Sequence, residues 1–202
     1  MPDTLICQTC GNKFTLPDSV AAKYPGWKPK QCMPCRSGRT RPSTNTDDAL
    51  ARFDAGPSTG VFTDGGCDPN PGPGGWGAVK VVDGEIIEER SGHDPDTTNN
   101  RMELRAMIEA YRMLAPGEAL PIYSDSQYTV KVVTEWGAQW QMNGWRRGKK
   151  GREPIENLDL VQELFELARS RPDVTPQWLR GHTGSRWNEY ADALSRAWQT
   201  TP

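Results

Sequence analysis

The 202-residue chain contains no run approaching the roughly 18 uncharged apolar residues of a membrane span, so no spanning helix is expected. Its first ten residues, MPDTLICQTC, lack a basic stretch followed by an apolar one. No secretory signal is read there, and the cytoplasm is the expected compartment. Cysteines number five, and an odd count speaks against a disulfide framework. Hydrophobic residues make up only 35%, so part of the length is expected to be linker or loop. Gly (20) and Pro (17) suffice for many turns but fall short of a low-complexity chain.

The net charge of −2 conceals an uneven distribution. Residues 1–45 hold seven Lys and Arg against Asp3 and Asp18, and the remainder is net acidic. Such a split suggests two units with different tasks. Residues 1–37 form the first expected unit. Residues 38–58, polar and rich in Ser, Thr, Pro and Asp, read as a flexible linker, with at most a helical turn near 48–53. Residues 59–202 form the second unit.

In that second unit, residues 60–63 read as a strand running into an Asp-Gly-Gly turn, and 68–75 as turn chemistry. Residues 77–82 and 85–89 flank Asp83-Gly84, a strong hairpin signal. Residues 99–114 are helical, with Ala106, Met107, Ala110 and Leu114 on one face and Pro116-Gly117 as the stop. A strand at 120–124, helices at 126–136 and 158–169, a strand at 174–179 and a helix at 186–198 follow. Three consecutive strands, then alternating helices and strands, predict an α/β fold. Its sheet is mixed, with an antiparallel and a parallel side and helices covering the faces.

Four acids stand where a surface charge would be oddly placed. Asp64 ends the first strand and Asp125 the fourth; if those strands are parallel neighbours, both carboxylates leave the same sheet edge. Glu103 shares a helix face with Met107 and Ala110, and Asp192 sits at the margin of the last helix's apolar stripe. Clustered carboxylates repel unless a cation lies between them. Mg²⁺ prefers such oxygen ligands, and two ions about 4 Å apart can clamp a phosphodiester displacement. Each acid taken singly is equally well read as a turn or cap residue.

The strings VFTDGGCDPNPGPGGWGA, TTNNRMELRAMIEA, IYSDSQYTV and WLRGHTGSRWNEYADALSRA closely resemble type 1 ribonuclease H of the bacterial HI kind, in the family's order, across about residues 60–199. The resemblance implies a five-stranded mixed sheet with flanking helices. It also implies hydrolysis of the RNA strand of RNA/DNA hybrids with Mg²⁺ or Mn²⁺, two ions per site. Asp64, Glu103, Asp125 and Asp192 match the family's metal-binding acids. His182, in Gly-His-Thr-Gly, matches its proton-transfer and product-release histidine. His93 has no such context and reads as an exposed loop residue.

The same resemblance sets Asn70, Asn99, Asn100 and Gln127 at the substrate backbone. Amides both donate to and accept from a hydroxyl, which suits ribose recognition. Asn99 reads equally as a helix cap. Thr98 matches part of a DNA-phosphate pocket, and Cys67 a minor-groove position, with a packing thiol as the alternative. Residues 136–152, WGAQWQMNGWRRGKKGR, interleave three Trp with Arg146, Arg147, Lys149, Lys150 and Arg152. This matches the family's basic protrusion, with Trp136 along the DNA channel, although Trp140 and Trp145 can equally pack a short helix. Binding should be sensitive to salt.

Cys7, Cys10, Cys32 and Cys35 form two CxxC pairs. Two thiolate pairs at this spacing can close one tetrahedral structural Zn²⁺ site, and the pattern resembles small bacterial zinc ribbons. Residues 1–37 have too few apolar residues to fold without such a staple. The expected partner is RNA/DNA hybrid, with the zinc module contacting duplex nucleic acid or a protein, and the chain is expected to be a monomer. The competing readings are a non-catalytic nucleic-acid adaptor and a nuclease of the same fold with another substrate.

Overall fold

The computed structural model describes residues 4–6, 13–15, 22, 26, 28–31, 45–148, 153–181 and 184–200. The chain divides into two units, residues 1–43 and 44–202. In the first, β1 (Thr4–Ile6) and β2 (Lys13–Thr15) pair antiparallel, Leu5 opposite Phe14. Cys7, Cys10, Cys32 and Cys35 lie outside the described residues.

The second unit is built on one five-stranded sheet in the order β5-β4-β3-β6-β9. Its strands are β3 (Gly60–Cys67), β4 (Gly72–Val82), β5 (Glu85–Thr97), β6 (Ile122–Ser124) and β9 (Pro176–Trp178). β3, β4 and β5 form an antiparallel meander, while β6 and β9 add in parallel. The mixed sheet is therefore as the order of elements implied. Asp83 (φ 51°) and Gly84 (φ 84°) make the tight turn between β4 and β5, where left-handed backbone suits the twist of the strands. The antiparallel strands run longer than expected, while β6 and β9 are shorter than the 120–124 and 174–179 read from the sequence. Residues 72–75, read as turn, belong to β4, and β5 reaches Thr97. His93 therefore lies on a strand, exposed, with its ring 5.7 Å from that of Trp198.

Strand alternation sends Val61 to one face of the sheet and Phe62 to the other, both fully buried. On the Val61 face lie α2 (Asn99–Met113) and α5 (Leu158–Ser170), which bury Leu104, Met107, Ile108, Leu160, Val161 and Leu164. Full burial of each such side chain is worth about 1.5–3 kcal/mol. On the Phe62 face α6 (Arg186–Ser195) buries Trp187, Tyr190 and Ala191 against Val79, Val81 and Tyr123. A short helix, α1 (Thr46–Arg52), joins this second core through Ala49, Leu50 and Phe53. Residues 46–52 are thus helix, not linker, because their few apolar side chains find a partner in α6.

The expected single helix at 126–136 is instead α3 (Gln127–Lys131) followed by a π-helical turn, Val132–Trp136, and then α4 (Gly137–Met142). Beyond it, β7 (Arg146–Arg147) and β8 (Glu153–Pro154) form a small ladder. The last helix closes in a 3₁₀ turn, Ala197–Thr200. No helix among the described residues is long and apolar enough to cross a membrane.

Candidate active site

The site grows from the register of two parallel strands. Thr63 of β3 is the partner of Ser124 of β6. Asp64, the next residue of β3, and Asp125, the first residue past β6, therefore stand at neighbouring positions of the two strands; β3 runs on to Cys67, so Asp64 lies within the strand opposite Gly77 and does not end it as expected. The condition posed by the sequence is met.

Two glycines bring the helices down to this edge. At Gly65 a β-carbon would run into the α2 backbone at Met102 and Glu103, so glycine lets that helix lie against β3. At Gly77 a β-carbon would stand 2.7 Å from Ala191 O and 2.8 Å from Ser195 N. The close seat of α6 on β4 depends on that missing atom. Asp192, one turn before Arg196, is 4% exposed.

The carboxylates feel one another. Burial, then the charges of Asp192 and Asp125, hold Asp64 well above the ordinary carboxylate range, with Arg196 and Ser195 opposing. Burial pushes Glu103 up to about 7, opposed by a hydrogen bond from Ser126 and helped by Asp125. Ser126 Oγ donates to Glu103 Oε2 at 2.5 Å. Asn188 Nδ2 is 3.5 Å from Asp125 Oδ2, and the Trp178 indole N–H donates to Asp125 O at 3.0 Å. Arg196 makes a two-pronged ion pair with Asp192.

Among the described residues, no three His, Cys, Asp or Glu side chains converge on one point as a metal-holding group. Four converged ligands were expected; the structure gathers the acids but leaves them engaged elsewhere. Arg196 covers Asp192, and Ser126 holds Glu103. The donor chemistry nevertheless fits a hard cation, since every candidate ligand is a carboxylate oxygen and their mutual repulsion calls for positive charge.

Around the acids, the expected substrate residues divide. Asn70 and Asn99 spend their side chains on the backbone: Asn99 N donates to Asn70 Oδ1 at 3.3 Å, and Cys67 N donates to Asn99 Oδ1 at 2.6 Å. The helix cap is Thr98, whose Oγ1 accepts from Arg101 N at 3.4 Å, not Asn99. Asn100 and Gln127 are exposed. The Cys67 thiol lies 3.0 Å from Pro69 O and 3.2 Å from Gly72 O, and burial pushes its pKa up.

Trp136, Trp140 and Trp145 all pack on the core. Trp136 has its ring 6.2 Å from Tyr128 and 5.5 Å from Trp140, with Lys131 Nζ 5.6 Å above it. Arg146 and Arg147 are exposed, and Arg147 pairs with Glu156 at 3.4 Å and Glu153 at 3.7 Å. Exposed pairs of this kind are weak and exchangeable. Lys149, Lys150, Arg152 and His182 lie outside the described residues. Ser126, Asn188, Ser195 and Arg196 were not anticipated. Ser126 stands beside Asp125, and Ser195 and Arg196 fall three and four positions after Asp192, a spacing that could have flagged them.

The profile of the RNase H family matches residues 57–199. This chain belongs to the ribonuclease H family. It is 47% identical over 135 residues to the ribonuclease H of Hahella chejuensis, covering 67% of this chain and 88% of that protein. With the ribonuclease H of Thermosynechococcus vestitus it shares 46% over 141 residues, 67% and 85% of the two chains. Among solved structures it is similar to LC9-RNase H1, a type 1 RNase H with the type 2 active-site motif. That likeness has a TM-score of 0.55 and 32% identity, covering 73% of this chain and 76% of that one. The chain is accordingly a ribonuclease H, a hydrolase, and its mixed five-stranded sheet with flanking helices is a ribonuclease H-like fold.

Proposed function

We propose that the protein cleaves the RNA strand of RNA/DNA hybrids, leaving 5′-phosphate and 3′-hydroxyl ends. The observation that carries this reading is the neighbouring placement of Asp64 and Asp125 on parallel strands in a ribonuclease H chain. Asp64, Glu103, Asp125 and Asp192 would hold two Mg²⁺ or Mn²⁺ ions. Bound there, such ions supply an activated water and neutralise the leaving oxygen.

The chain's own groups do the rest. Ser195 and Ser126 orient the Asp64 and Glu103 carboxylates. Outer partners of this kind set ligand geometry. Arg196 must release Asp192 before that carboxylate can serve as a ligand. Asn70, Asn99, Asn100 and Gln127 would read the sugar-phosphate backbone, beside Thr98 at a DNA phosphate and Cys67 at the minor groove. Trp136 with Arg146, Arg147, Lys149 and Lys150 would follow the DNA strand. His182 would carry protons and help release product.

Cys7, Cys10, Cys32 and Cys35 would bind one structural Zn²⁺, and the basic N-terminal unit would tether the enzyme to nucleic acid. Metal content of the purified chain tests the zinc: one zinc per chain, lost in Cys7→Ser with Cys32→Ser, is expected.

The deciding experiment is cleavage of a labelled hybrid with Mg²⁺ and with EDTA, for the wild type and Asp64→Asn. Duplex DNA, duplex RNA and single-stranded RNA serve as controls. Metal-dependent cutting of only the hybrid's RNA strand, lost in Asp64→Asn, is expected. No cutting in either Mg²⁺ or Mn²⁺ would overturn the reading.

A further inference from the structure

Residues 46–56 precede the stretch that matches the family, which begins at 57. They nevertheless reach the helix that carries Asp192. α1 is capped at its start by Asn45, whose Oδ1 accepts from Asp47 N at 2.9 Å. Its Ala49 is 3% exposed, in the same core as Trp187, Tyr190 and Ala191 of α6.

The contact tightens at the beginning of α6. A helix's first N–H groups need partners from outside the helix. Ser185, the N-cap residue of α6, makes no side-chain cap bond, and its hydroxyl is buried with no partner among the described residues. The Arg186 N–H instead donates to Ala55 O at 2.8 Å, and Ala55 pairs with Ser185 as a single parallel rung. Gly56, at φ +98°, comes so near that a β-carbon there would stand 2.6 Å from Ser185 Oγ. A β-carbon on Gly184 would meet the Phe53 ring at 3.6 Å. The segment thus supplies a backbone cap and fixes the axial position of α6.

Position along that axis matters because α6 presents three groups to the acids. Asn188 reaches toward Asp125, Asp192 is itself one of the four, and Ser195 Oγ lies 2.9 Å from Asp64 Oδ2. We propose that residues 46–56 are a positioning element of the active site, seating α6 so that Asn188, Asp192 and Ser195 stand in register with Asp64 and Asp125. This rests on the metal-binding reading of the four acids given above.

The test uses the full chain and Mn²⁺ as the probe. Mn²⁺ binding is titrated by calorimetry well below each variant's melting temperature, and binding absent in Asp64→Asn marks the carboxylate site. Phe53→Ala loosens the segment; Leu164→Ala, a core change on the opposite sheet face, controls for lost stability alone. The expected result is a loss of about tenfold in Mn²⁺ affinity in Phe53→Ala, the scale seen when outer partners of metal ligands are removed. Leu164→Ala should keep wild-type affinity while melting lower. If Phe53→Ala does not fold, Gly56→Ala, which presses on Ser185 and leaves the helix intact, takes its place with the same expectation. Wild-type affinity in the folded variant would overturn the inference and leave the metal reading standing. No binding by the wild type would overturn both.

Discussion

Ser195 Oγ stands 2.9 Å from Asp64 Oδ2 and 2.8 Å from the carbonyl oxygen of Asp192, with one proton to share between them. The hydroxyl links the last helix to the first strand's carboxylate across 131 positions of sequence. Donation to Asp64 favours its charged form, the form a cation needs. Ser195→Ala should therefore lower the Mg²⁺-dependent cleavage rate by about tenfold with the fold intact. Steady-state cleavage and circular dichroism together check this; an unchanged rate would show that the bond does not orient Asp64.

Asp64 is half-buried beside two other acids without full compensation, a cost the folded chain carries until a cation arrives. Neutralising it relieves repulsion. Asp64→Asn should be more stable than the wild type by roughly 1–3 kcal/mol, and so melt higher, when no divalent ion is added. Added Mg²⁺ should stabilise the wild type and leave the variant unmoved, because only a group that binds the ion gains from it. Thermal melts with and without Mg²⁺ read both effects.

Glu103 sets a pH dependence. In the folded chain its pKa is raised to about 7 from an ordinary 4.5, so the folded state binds the proton more tightly than the unfolded state. Stability from this group is fully present below pH 4.5, falls as pH rises through the folded value near 7, and is flat above it. Asp64, also raised, acts in the same direction. Without divalent ions the chain should therefore melt lower at pH 8 than at pH 5.5, and Glu103→Gln should reduce that difference. A difference of the same size in Glu103→Gln would assign the effect to other groups.

Gly137 tests the packing beneath the candidate DNA-binding surface. Alanine is ordinarily the better helix former, by about 1 kcal/mol. Here a β-carbon would run into the Phe165 ring and stand 2.6 Å from Val132 O. The clash should win, and Gly137→Ala should lose about 1–3 kcal/mol in urea unfolding.

The antiparallel side of the sheet, the parallel strands and the main helices could be read from the sequence because each carries a strong local period or a turn residue with one job. Asp83-Gly84 can hardly be anything but a tight turn, and Leu104, Met107 and Ile108 leave α2 one way to face the sheet. Asp64 and Asp125 were legible for the same reason: each follows three residues of a buried strand. α1 was not. Three apolar residues, Ala49, Leu50 and Phe53, are too few to set a period, and their partner α6 lies more than 130 positions away.

What the sequence determined by itself was which groups are available: four carboxylates on or beside buried elements, amides and aromatics around them, and thiolate pairs near the start. Tertiary structure alone decided which groups hold which. Ser126 on Glu103, Ser195 on Asp64 and the Ala55 carbonyl on the first turn of α6 are settled at distances of about 3 Å or less. Most of these span tens of residues of chain, and no local preference can choose among partners that only packing brings together.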